Sequence, residues 1–337
     1  MPILITGAGG SIGSALALHL AQLGASRLLL LDASEGHLHH LQQQLAAYAT
    51  NAKAQLILAD AGDAVLLEDL FSIHKPRIVF HAAAYKHVPM LEQQPLAAIA
   101  NNIFVTDRIA GAAARHQASL VMLSTDKAVQ PTSVMGATKR IAEMIVLAKG
   151  GTALRLGNIL ASSGSVAEIF AQQALQGSPL TITHSAARRF FLTLDEAAHL
   201  LIAAAHNATS TASAALLAPA LDADHAIVDL ARFLANLFAP GRELPFVCIG
   251  LRPGERLVER LWDETEQTQL VADGLLSLHS AQASPDDSSI HLAELYHAHR
   301  NRDCVASLSA LRTLVPDFHP SSPVRVHGQL QEQWSHA

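Results

Sequence analysis

Three side chains that exchange protons follow one another directly after a short apolar segment. Thr125, Asp126 and Lys127 carry a hydroxyl, a carboxyl and an amine. Met135 and Lys139 come next, four residues apart, which places them on one face of a predicted helix. Side chains of the first three types act as general acids and bases when they are held beside a substrate. The segment is therefore the first candidate for a reaction centre.

A glycine-rich turn follows the first apolar segment of the chain. Its residues include Gly7, Gly10, Ser11, Ile12 and Gly13, with the spacing Gly-x-x-Gly-x-x-Gly. Such a turn lets the backbone approach a pyrophosphate, and the helix that it opens presents N–H groups to the phosphates. A glycine motif alone is a weak indication. Here a strand before it and a helix after it favour a dinucleotide site.

Two aspartates extend this candidate site. Asp32 ends the second predicted strand, nineteen residues after Gly13, where a carboxylate accepts hydrogen bonds from the adenosine ribose and repels a 2′-phosphate. No Arg or Lys follows in residues 33–35, so the sequence favours NAD over NADP. Asp60, just past the third strand, is placed to meet the adenine. A turn or helix-capping role for Asp60 is the alternative.

The elements that must position these residues alternate regularly. Helices are predicted near residues 11–23, 35–49, 64–73, 95–115 and 134–149, between the short apolar strands Ile3–Thr6, Arg27–Leu31, Ala54–Leu58, Arg77–His81, Ser119–Leu123 and Thr152–Leu156. This alternation predicts an α/β fold, a doubly wound parallel sheet of the Rossmann type that binds its ligand at the carboxyl ends of the strands. The rhythm weakens after residue 160. We expect residues 1–160 to form the NAD-binding domain, with later segments returning to it. Residues 161–337 would form mainly a smaller α/β substrate lobe and C-terminal helices, with a loop within Ala203–Ala220 and a polar connector at Ala281–Ser289.

Composition excludes several other classes of protein. The formal net charge of -6 argues against a nucleic-acid partner. No apolar run is long enough to cross a bilayer and the N-terminus is not typical of a signal peptide, so we expect a cytoplasmic protein with no membrane span. The two cysteines, Cys248 and Cys304, make no disulfide framework. The nineteen histidines are dispersed, and their densest group, at residues 37–40, predicts a solvated helix face. We expect no metal site.

The sequence resembles the bacterial UDP-N-acetylglucosamine 4,6-dehydratases of polysaccharide biosynthesis, which are extended short-chain dehydrogenases. The resemblance rests on Thr125–Lys127 and the following Pro-Thr-Ser-Val-Met-Gly-Ala-Thr-Lys-Arg, and it fades after about residue 265. Further matching segments are Gly7–Gly13, Leu31–Glu35, His81–Pro89, Asn101-Asn102, Arg155–Asn158, Gly164–Val166 and Leu251–Glu255. Ala161 departs from the family, because glycine is usual at that position.

The resemblance implies a reaction and assigns roles to the first cluster. The sugar is oxidised at C4, a proton leaves C5, water leaves from C6, and the stored hydride returns to C6. Lys127 would be the base toward C5 and Asp126 the acid toward the C6 hydroxyl. Thr125 would bind the C4 oxygen, and Lys139 would hold the nicotinamide ribose. This requires Lys127 to accept a proton and Asp126 to donate one, the reverse of their states in water.

Met135 stands where most short-chain dehydrogenases carry a tyrosine that takes the hydroxyl proton. A thioether has no proton to exchange. One interpretation is ordinary helix packing in an inactive protein. The resemblance favours another, a branch of the dehydratases that also has Met here, in which the C4 proton leaves by Thr125, a water or Lys139.

The resemblance also implies contacts to both ligands. Ala82, after the fourth strand, would contact the cofactor. The nucleotide-sugar contacts would come from Lys86, Asn158, Ser165, Arg189, Arg252 and Glu255, among which the arginine guanidinium groups suit a diphosphate. Arg188 is expected to be a surface charge. Because related enzymes pair helices such as those at 95–115 and 134–149, we expect a homodimer or a higher homo-oligomer.

Two other functions stay open. A nucleotide-sugar epimerase, acting at C5 or C4, uses the same fold, although Met135 tells against 4-epimerisation and Asp126-Lys127 favours elimination. A non-catalytic NAD-binding sensor or scaffold would have lost Asp126, Lys127 or Lys139, and all three are present. The sequence therefore favours dehydration of a nucleotide sugar, with a UDP-sugar as the expected substrate.

Overall fold

The protein is described by a computed structural model over residues 1–48, 53–211, 213–272, 274–280 and 288–319. Its strands are β1 (Pro2–Thr6), β2 (Arg27–Asp32), β3 (Ala54–Leu58), β4 (Ile78–His81), β5 (Ser119–Thr125), β6 (Thr152–Leu156), β7 (Asn158–Ile159), β8 (Leu180–Ile182), β9 (Arg188–Arg189), β10 (Phe191–Leu192), β11 (Ala215–Pro219), β12 (His225–Ala226), β13 (Phe246–Cys248), β14 (Glu266–Ala272) and β15 (Leu275–Ser280). Its helices are α1 (Ser11–Gln22), α2 (Glu35–Tyr48), α3 (Ala64–His74), α4 (Val88–Gln93), α5 (Pro95–Ala98), α6 (Val105–Arg115), α7 (Val134–Ala148), α8 (Val166–Gln176), α9 (Leu194–Thr211), α10 (Ile227–Phe238), α11 (Ser288–Arg300) and α12 (Cys304–Leu314).

A nine-stranded sheet organises the chain, in the order β14-β15-β11-β6-β5-β4-β1-β2-β3. In this sheet β11, β6, β5, β4, β1, β2 and β3 run parallel to one another. On one side β15 pairs antiparallel with β11, and β14 pairs antiparallel with β15 at the edge. The strand order reverses between β1 and β4, which opens a crevice at the carboxyl ends of these strands. The predicted doubly wound α/β fold is therefore confirmed.

Both faces of the sheet are buried, as the continuous apolar strands predict. Along β1 the side chains alternate, so that Leu4 belongs to one apolar cluster while Ile3 and Ile5 belong to the other. One cluster lies under α6, α7 and the C-terminal helices, and the other lies under α1 and α9. Segments after residue 160 thus return to the main sheet through α9, β11, β14 and β15.

A smaller apolar cluster lies apart from the sheet. It is built around Phe170, Ile182 and Ile227, from α8, β8 and α10. Most of the loop expected within Ala203–Ala220 is instead regular structure, because α9 continues to Thr211 and β11 covers Ala215–Pro219. Residues 281–287 of the predicted connector lie outside the described residues, and its last two residues already belong to α11.

The long helix predicted at residues 95–115 is interrupted. A π-helical segment, Ile99–Phe104, separates α5 from α6. The C-terminal helices cover this region: the rings of Phe104 and Tyr296 stack with centroids 3.8 Å apart, and the Tyr296 hydroxyl donates to Asp107 over 3.0 Å. The face on which a homodimer was expected is therefore partly covered by α11 and α12 of the same chain. The oligomeric state stays a prediction.

Within the described ranges, no helix combines the length and the apolar character that a membrane span requires.

Candidate active site

The glycine turn between β1 and α1 is shaped for close approach. Gly7 has a positive φ of 70°, and a Cβ atom there would lie 2.5 Å from the Ala83 nitrogen, so only glycine fits. A Cβ on Gly13 would collide with the Gly7 carbonyl. Gly10 precedes α1 without a side-chain cap, so the first N–H groups of Ser11 and Ile12 are not satisfied by a capping side chain. The turn has the geometry that a pyrophosphate requires.

Asp32 lies at the carboxyl end of β2 beside this turn. Its Oδ2 accepts from the Gly9 amide and its Oδ1 accepts from the Ser34 amide, both over 2.9 Å. These contacts fix the carboxylate, which keeps further lone pairs for ribose hydroxyls. Asp60 accepts from the Gly62 amide over 2.7 Å, as expected for an aspartate that stabilises a turn. Its contact to an adenine stays a prediction.

The end of β4 borders the same crevice. The Ala82 amide donates to the Thr6 carbonyl over 3.0 Å and so joins β4 to the glycine turn. The next loop is held by Asn102 of the π-helical segment, whose side chain accepts from the Tyr85 amide and donates to the Thr138 hydroxyl of α7. Asn102 thus connects the cofactor loop to the helix that carries Met135 and Lys139, a role that the sequence motif did not specify.

The reaction cluster, defined as Thr125, Asp126, Lys127 and Asn158, forms where β5 ends. Lys127 Nζ lies 2.8 Å from Asp126 Oδ1 and 3.0 Å from Asn158 Oδ1. The Thr125 hydroxyl donates to the same Asp126 oxygen over 2.8 Å. The structure therefore brings the predicted acid and base into direct contact and adds Asn158 as a second partner of the amine.

Lys139 and Met135 lie buried on α7 behind this cluster. Lys139 Nζ donates to the Leu123 carbonyl over 2.6 Å. Burial lowers the pKa of Lys139 to about 8, although the charge of Glu143 opposes the shift. Met135 is 4% exposed and packs in the apolar cluster under α7. The helix-face prediction is confirmed, and the Met135 thioether supplies no exchangeable proton.

The loop after Asn158 connects the two ligand regions. The Ser163 amide donates to the Ser11 hydroxyl over 3.1 Å, and the Ser163 carbonyl accepts from Lys86 Nζ over 2.7 Å. Burial lowers the pKa of Lys86. Ser165 uses its hydroxyl to cap α8 through the Glu168 amide. The protein itself thus supplies polar partners to Lys86 and Ser165, and their contacts to a nucleotide sugar stay predictions.

The predicted diphosphate arginines differ in their surroundings. Arg252 is half-exposed and forms a two-point pair with Glu255, in which Nη2 lies 2.6 Å from Oε1 and Nε lies 2.9 Å from it. Arg189 is buried and donates to the carbonyls of Arg188, Arg256 and Leu257. Arg252 is thus accessible to a ligand, whereas protein carbonyls occupy much of Arg189. The diphosphate contact of Arg189 stays a prediction.

A second group of buried charges, here called the ion-pair network, was not found from the sequence. Arg155 of β6 donates to both carboxylate oxygens of Glu143 over 2.9 and 3.0 Å, and to Glu266 over 2.8 Å. The Ser124 hydroxyl donates to Glu143 over 2.6 Å. Ser124 directly precedes Thr125 in the chain, and Glu143 lies one helical turn after Lys139 on α7. A charged residue inside an apolar strand was the available indication for Arg155.

Glu259 is the other residue that sequence reasoning missed. It is 3% exposed and follows the loop that carries Arg252 and Glu255. The charges of Asp126 and Lys127 act on its carboxyl. Nothing in its local pattern distinguishes it from a solvated glutamate, because its burial results from contacts with distant segments.

Comparisons with known proteins agree with this geometry. Residues 3–275 match the family described as polysaccharide biosynthesis protein. The chain belongs to this family. It is similar to the capsular polysaccharide biosynthesis protein CapD of Staphylococcus aureus, at 38% identity over 78% of this chain and 45% of the relative. The chain thus spans about half the length of that relative.

Two further proteins show how widely the fold is used. A UDP-glucose 4-epimerase of Rickettsia rickettsii is 31% identical over 79% of this chain and 79% of its own length. The crystal structure of Pen from Bacillus thuringiensis superposes with a TM-score of 0.73 at 25% identity, covering 84% of this chain and 87% of that one. One relative of the chain is thus named as an epimerase.

Proposed function

We propose that the protein is an NAD-dependent 4,6-dehydratase of a nucleotide sugar, with UDP-N-acetylglucosamine as the expected substrate. The observation that carries this proposal is the contact between Asp126 and Lys127 at the carboxyl end of β5. An acid and a base side by side suit an elimination, in which one proton is removed from C5 and another is delivered to the neighbouring C6 hydroxyl.

The residues around the glycine turn fit NAD. Gly7 and Gly13 tolerate no side chain, and the Asp32 carboxylate is fixed where it is expected to accept hydrogen bonds from a ribose. When bound, NAD would supply the hydride chemistry that an oxidation at C4 and a reduction at C6 require. Lys139 would hold the nicotinamide ribose. Heat denaturation of the purified protein should release NAD, and recovery of NADP alone would contradict the assignment of Asp32.

The protein's own groups then move the protons. Lys127 takes the C5 proton, which the C4 ketone has made acidic, while Asp126 gives its proton to the C6 oxygen as the C6–O bond breaks and water leaves. When the hydride returns to C6, Lys127 gives its proton back to C5. The proton that the C4 hydroxyl released restores Asp126, and the Thr125 hydroxyl, which donates to Asp126 over 2.8 Å, lies on that route. Thr125 binds the C4 oxygen. The C4 proton is accepted by the Thr125 hydroxyl, by a water or by the amine of Lys139, whose pKa is lowered. One of these groups takes the part of the tyrosine that Met135 replaces.

A nucleotide-sugar epimerase is the second candidate, and the similarity to a protein named UDP-glucose 4-epimerase favours it. The buried Met135 opposes 4-epimerisation because that position has no proton to exchange. Incubation with UDP-N-acetylglucosamine separates the candidates by mass spectrometry. A dehydratase product has lost one water, whereas an epimerase product has the mass of the substrate. A non-catalytic sensor would bind NAD and leave the sugar unchanged.

A further inference from the structure

A buried histidine that the proposed mechanism does not use lies between the glycine turn and α6. His81 ends β4 and is 1% exposed. Its Nδ1 lies 2.8 Å from the hydroxyl oxygen of Thr6, the residue before Gly7, and its Nε2 lies 2.9 Å from the hydroxyl oxygen of Thr106 on α6. Both ring nitrogens are therefore hydrogen-bonded to hydroxyl groups. The imidazole joins the end of β1 to the helix that follows the π-helical segment.

The hydroxyl of Thr106 determines which ring nitrogen carries the proton. A hydroxyl has one proton to donate, and Thr106 donates it to the backbone carbonyl of Asn102 over 2.8 Å. Toward His81 the same oxygen therefore accepts, so that Nε2 carries the ring proton. A neutral imidazole has one N–H group, and Nδ1 accepts from the hydroxyl of Thr6. Each ring nitrogen then has a partner of the matching kind.

The surroundings of His81 keep its ring neutral. Burial disfavours the charged imidazolium, and the charge of Lys139 disfavours it as well, so the pKa of His81 falls from 6.5 to about 3. A ring with this pKa is unsuited to acid–base catalysis near neutral pH. It is instead suited to holding its two hydroxyl neighbours at fixed positions.

The hydrogen bonds continue from α6 to the helix that carries Lys139. Asn102 belongs to the π-helical segment, a rare backbone form that is frequent at functional sites. Its side-chain amide donates to the Thr138 hydroxyl over 3.1 Å, and that hydroxyl donates to the Met135 carbonyl over 2.8 Å. Thr138 directly precedes Lys139 on α7. Buried side chains thus join the glycine turn to α7 by way of His81.

We propose that His81 is a positioning residue for hydride transfer, which holds the π-helical segment against the end of β1 and thereby sets the distance between the glycine turn and α7. The glycine turn would place the cofactor, and α7 carries Lys139, the expected partner of the nicotinamide ribose. The effect on turnover rests on the proposed dehydratase function, whereas the arrangement of the hydrogen bonds does not. Oxidation at C4 needs close alignment of the reacting atoms, and a misplacement of about 1 Å can cost about a hundred-fold in rate.

The first test removes the hydroxyl that joins the imidazole to the π-helical segment. Thr106→Val keeps a β-branched side chain and leaves Nε2 of His81 without an acceptor. We expect kcat to fall by about ten- to a hundred-fold. The KM for UDP-N-acetylglucosamine should be unchanged, because Thr106 bonds to none of the residues expected to contact the sugar. Thr152→Val is the matched control, since Thr152 is 1% exposed and its hydroxyl has no partner among the described residues. Wild-type kcat in Thr106→Val overturns the proposal.

Two variants of the histidine itself separate positioning from packing. His81→Gln retains an amide N–H that can reach Thr106, whereas His81→Leu retains only an apolar side chain. The glutamine variant should therefore keep more of the wild-type kcat. In single turnovers the rate of substrate consumption should fall in both variants, whereas a smaller fraction of folded protein would lower only the amplitude. Deuterium at C4 of the substrate should slow that rate, as expected when hydride transfer is the slow step. A lowered rate without an isotope effect contradicts the proposal.

A third measurement does not depend on turnover. Nitrogen NMR of protein with isotope-labelled histidine should show, at pH 7, a neutral ring with its proton on Nε2 whose signal is absent from His81→Gln. The ring should stay neutral at pH 5, at which an ordinary histidine is charged. A proton on Nδ1, or a ring that is charged at pH 5, overturns the proposal. If the signal is as expected but no nucleotide sugar is dehydrated, the arrangement around His81 stands and the proposed function fails.

Discussion

The ion-pair network and the reaction cluster lie next to each other, yet their buried charges are arranged differently. In the ion-pair network both oxygens of Glu143 accept from Arg155, and Ser124 adds a third hydrogen bond. In the reaction cluster Asp126 Oδ1 accepts two hydrogen bonds, while its Oδ2 accepts none from the described residues. The contrast is between Glu143 and Asp126, because Glu266 Oε1 of the ion-pair network also accepts no hydrogen bond from the described residues.

The shifts in pKa agree with this contrast. Burial alone would raise the pKa of Glu143, but the charge and hydrogen bonds of Arg155 lower it overall. Burial would lower the pKa of Arg155, and Glu143 reverses that effect and raises it. Each partner thus stabilises the charged form of the other. For Glu259 the effect of burial is larger than that of the neighbouring positive charges, so the pKa of its carboxyl is raised. The network is built for stability, whereas burial favours the neutral form of Glu259.

The largest expected effect tests the reaction cluster. Changing Lys127 to Ala removes the base toward C5, so turnover should fall by about a hundred- to ten-thousand-fold. The melting temperature should also fall, because the fully buried Asp126 loses its ion-pair partner, so the C5 exchange measurement decides the role of Lys127. Exchange of the C5 proton for deuterium, followed by NMR, should stop in the variant. Lys149→Ala, at a lysine distant from the cluster, should leave both measurements unchanged. Full C5 exchange in Lys127→Ala would refute its role as base.

A change in the ion-pair network should mainly lower the stability of the fold. Changing Arg155 to Met leaves the carboxylates of Glu143 and Glu266 buried without their main partner, which typically costs about 3–5 kcal/mol in the free energy of unfolding. Urea denaturation measures this loss. Arg260→Met removes an exposed ion pair with Glu264 and should cost less than about 1 kcal/mol. Equal losses in the two variants would remove the distinction between the network and the surface pairs.

Lys139 lies between the two groups of charges and should show a pH signature. Its pKa of about 8 in the folded protein lies below the usual 10.5, so the unfolded chain binds more protons between these values. Folding stability therefore rises with pH from about 8 to 10.5, by at most about 3 kcal/mol. Lys139→Met lacks this rise. In urea denaturation from pH 7 to 10, the free energy of unfolding of the wild type should therefore increase relative to that of the variant. Parallel pH curves would contradict burial as the cause.

Regular elements were predictable from the sequence because their information is local. The apolar segments that predict β1 to β6 match the strands to within two residues, since continuous apolar runs are typical of a parallel sheet that is covered on both sides. The π-helical segment Ile99–Phe104 was not predicted, because helical periodicity does not distinguish it from an α-helix. The loop expected within Ala203–Ala220 was overestimated, since alanine favours helix.

The candidate site was predictable only where residue type and position along the chain decide the chemistry. Asp126 and Lys127 meet because they are adjacent in sequence, and Lys139 meets β5 because α7 packs on the sheet. Glu259 and Arg155 depend on segments more than a hundred residues apart. No local pattern encodes such contacts. Arg189 illustrates the same limit, because its buried carbonyl contacts could not be inferred from the motif.

The smallest expected effect concerns the backbone that leads from Asn158 toward Ser165. Ala161 has a positive φ of 57°, a conformation that costs an L-residue about 1–2 kcal/mol relative to glycine. A glycine at this position removes that strain, but it also widens the unfolded ensemble. Ala161→Gly should therefore stabilise the fold by about 1 kcal/mol or less, measured by urea denaturation. Ala186→Gly, at an exposed loop alanine with a negative φ, is the control and should not stabilise. Loss of stability in Ala161→Gly would show that the strain is relieved by contacts that glycine cannot make.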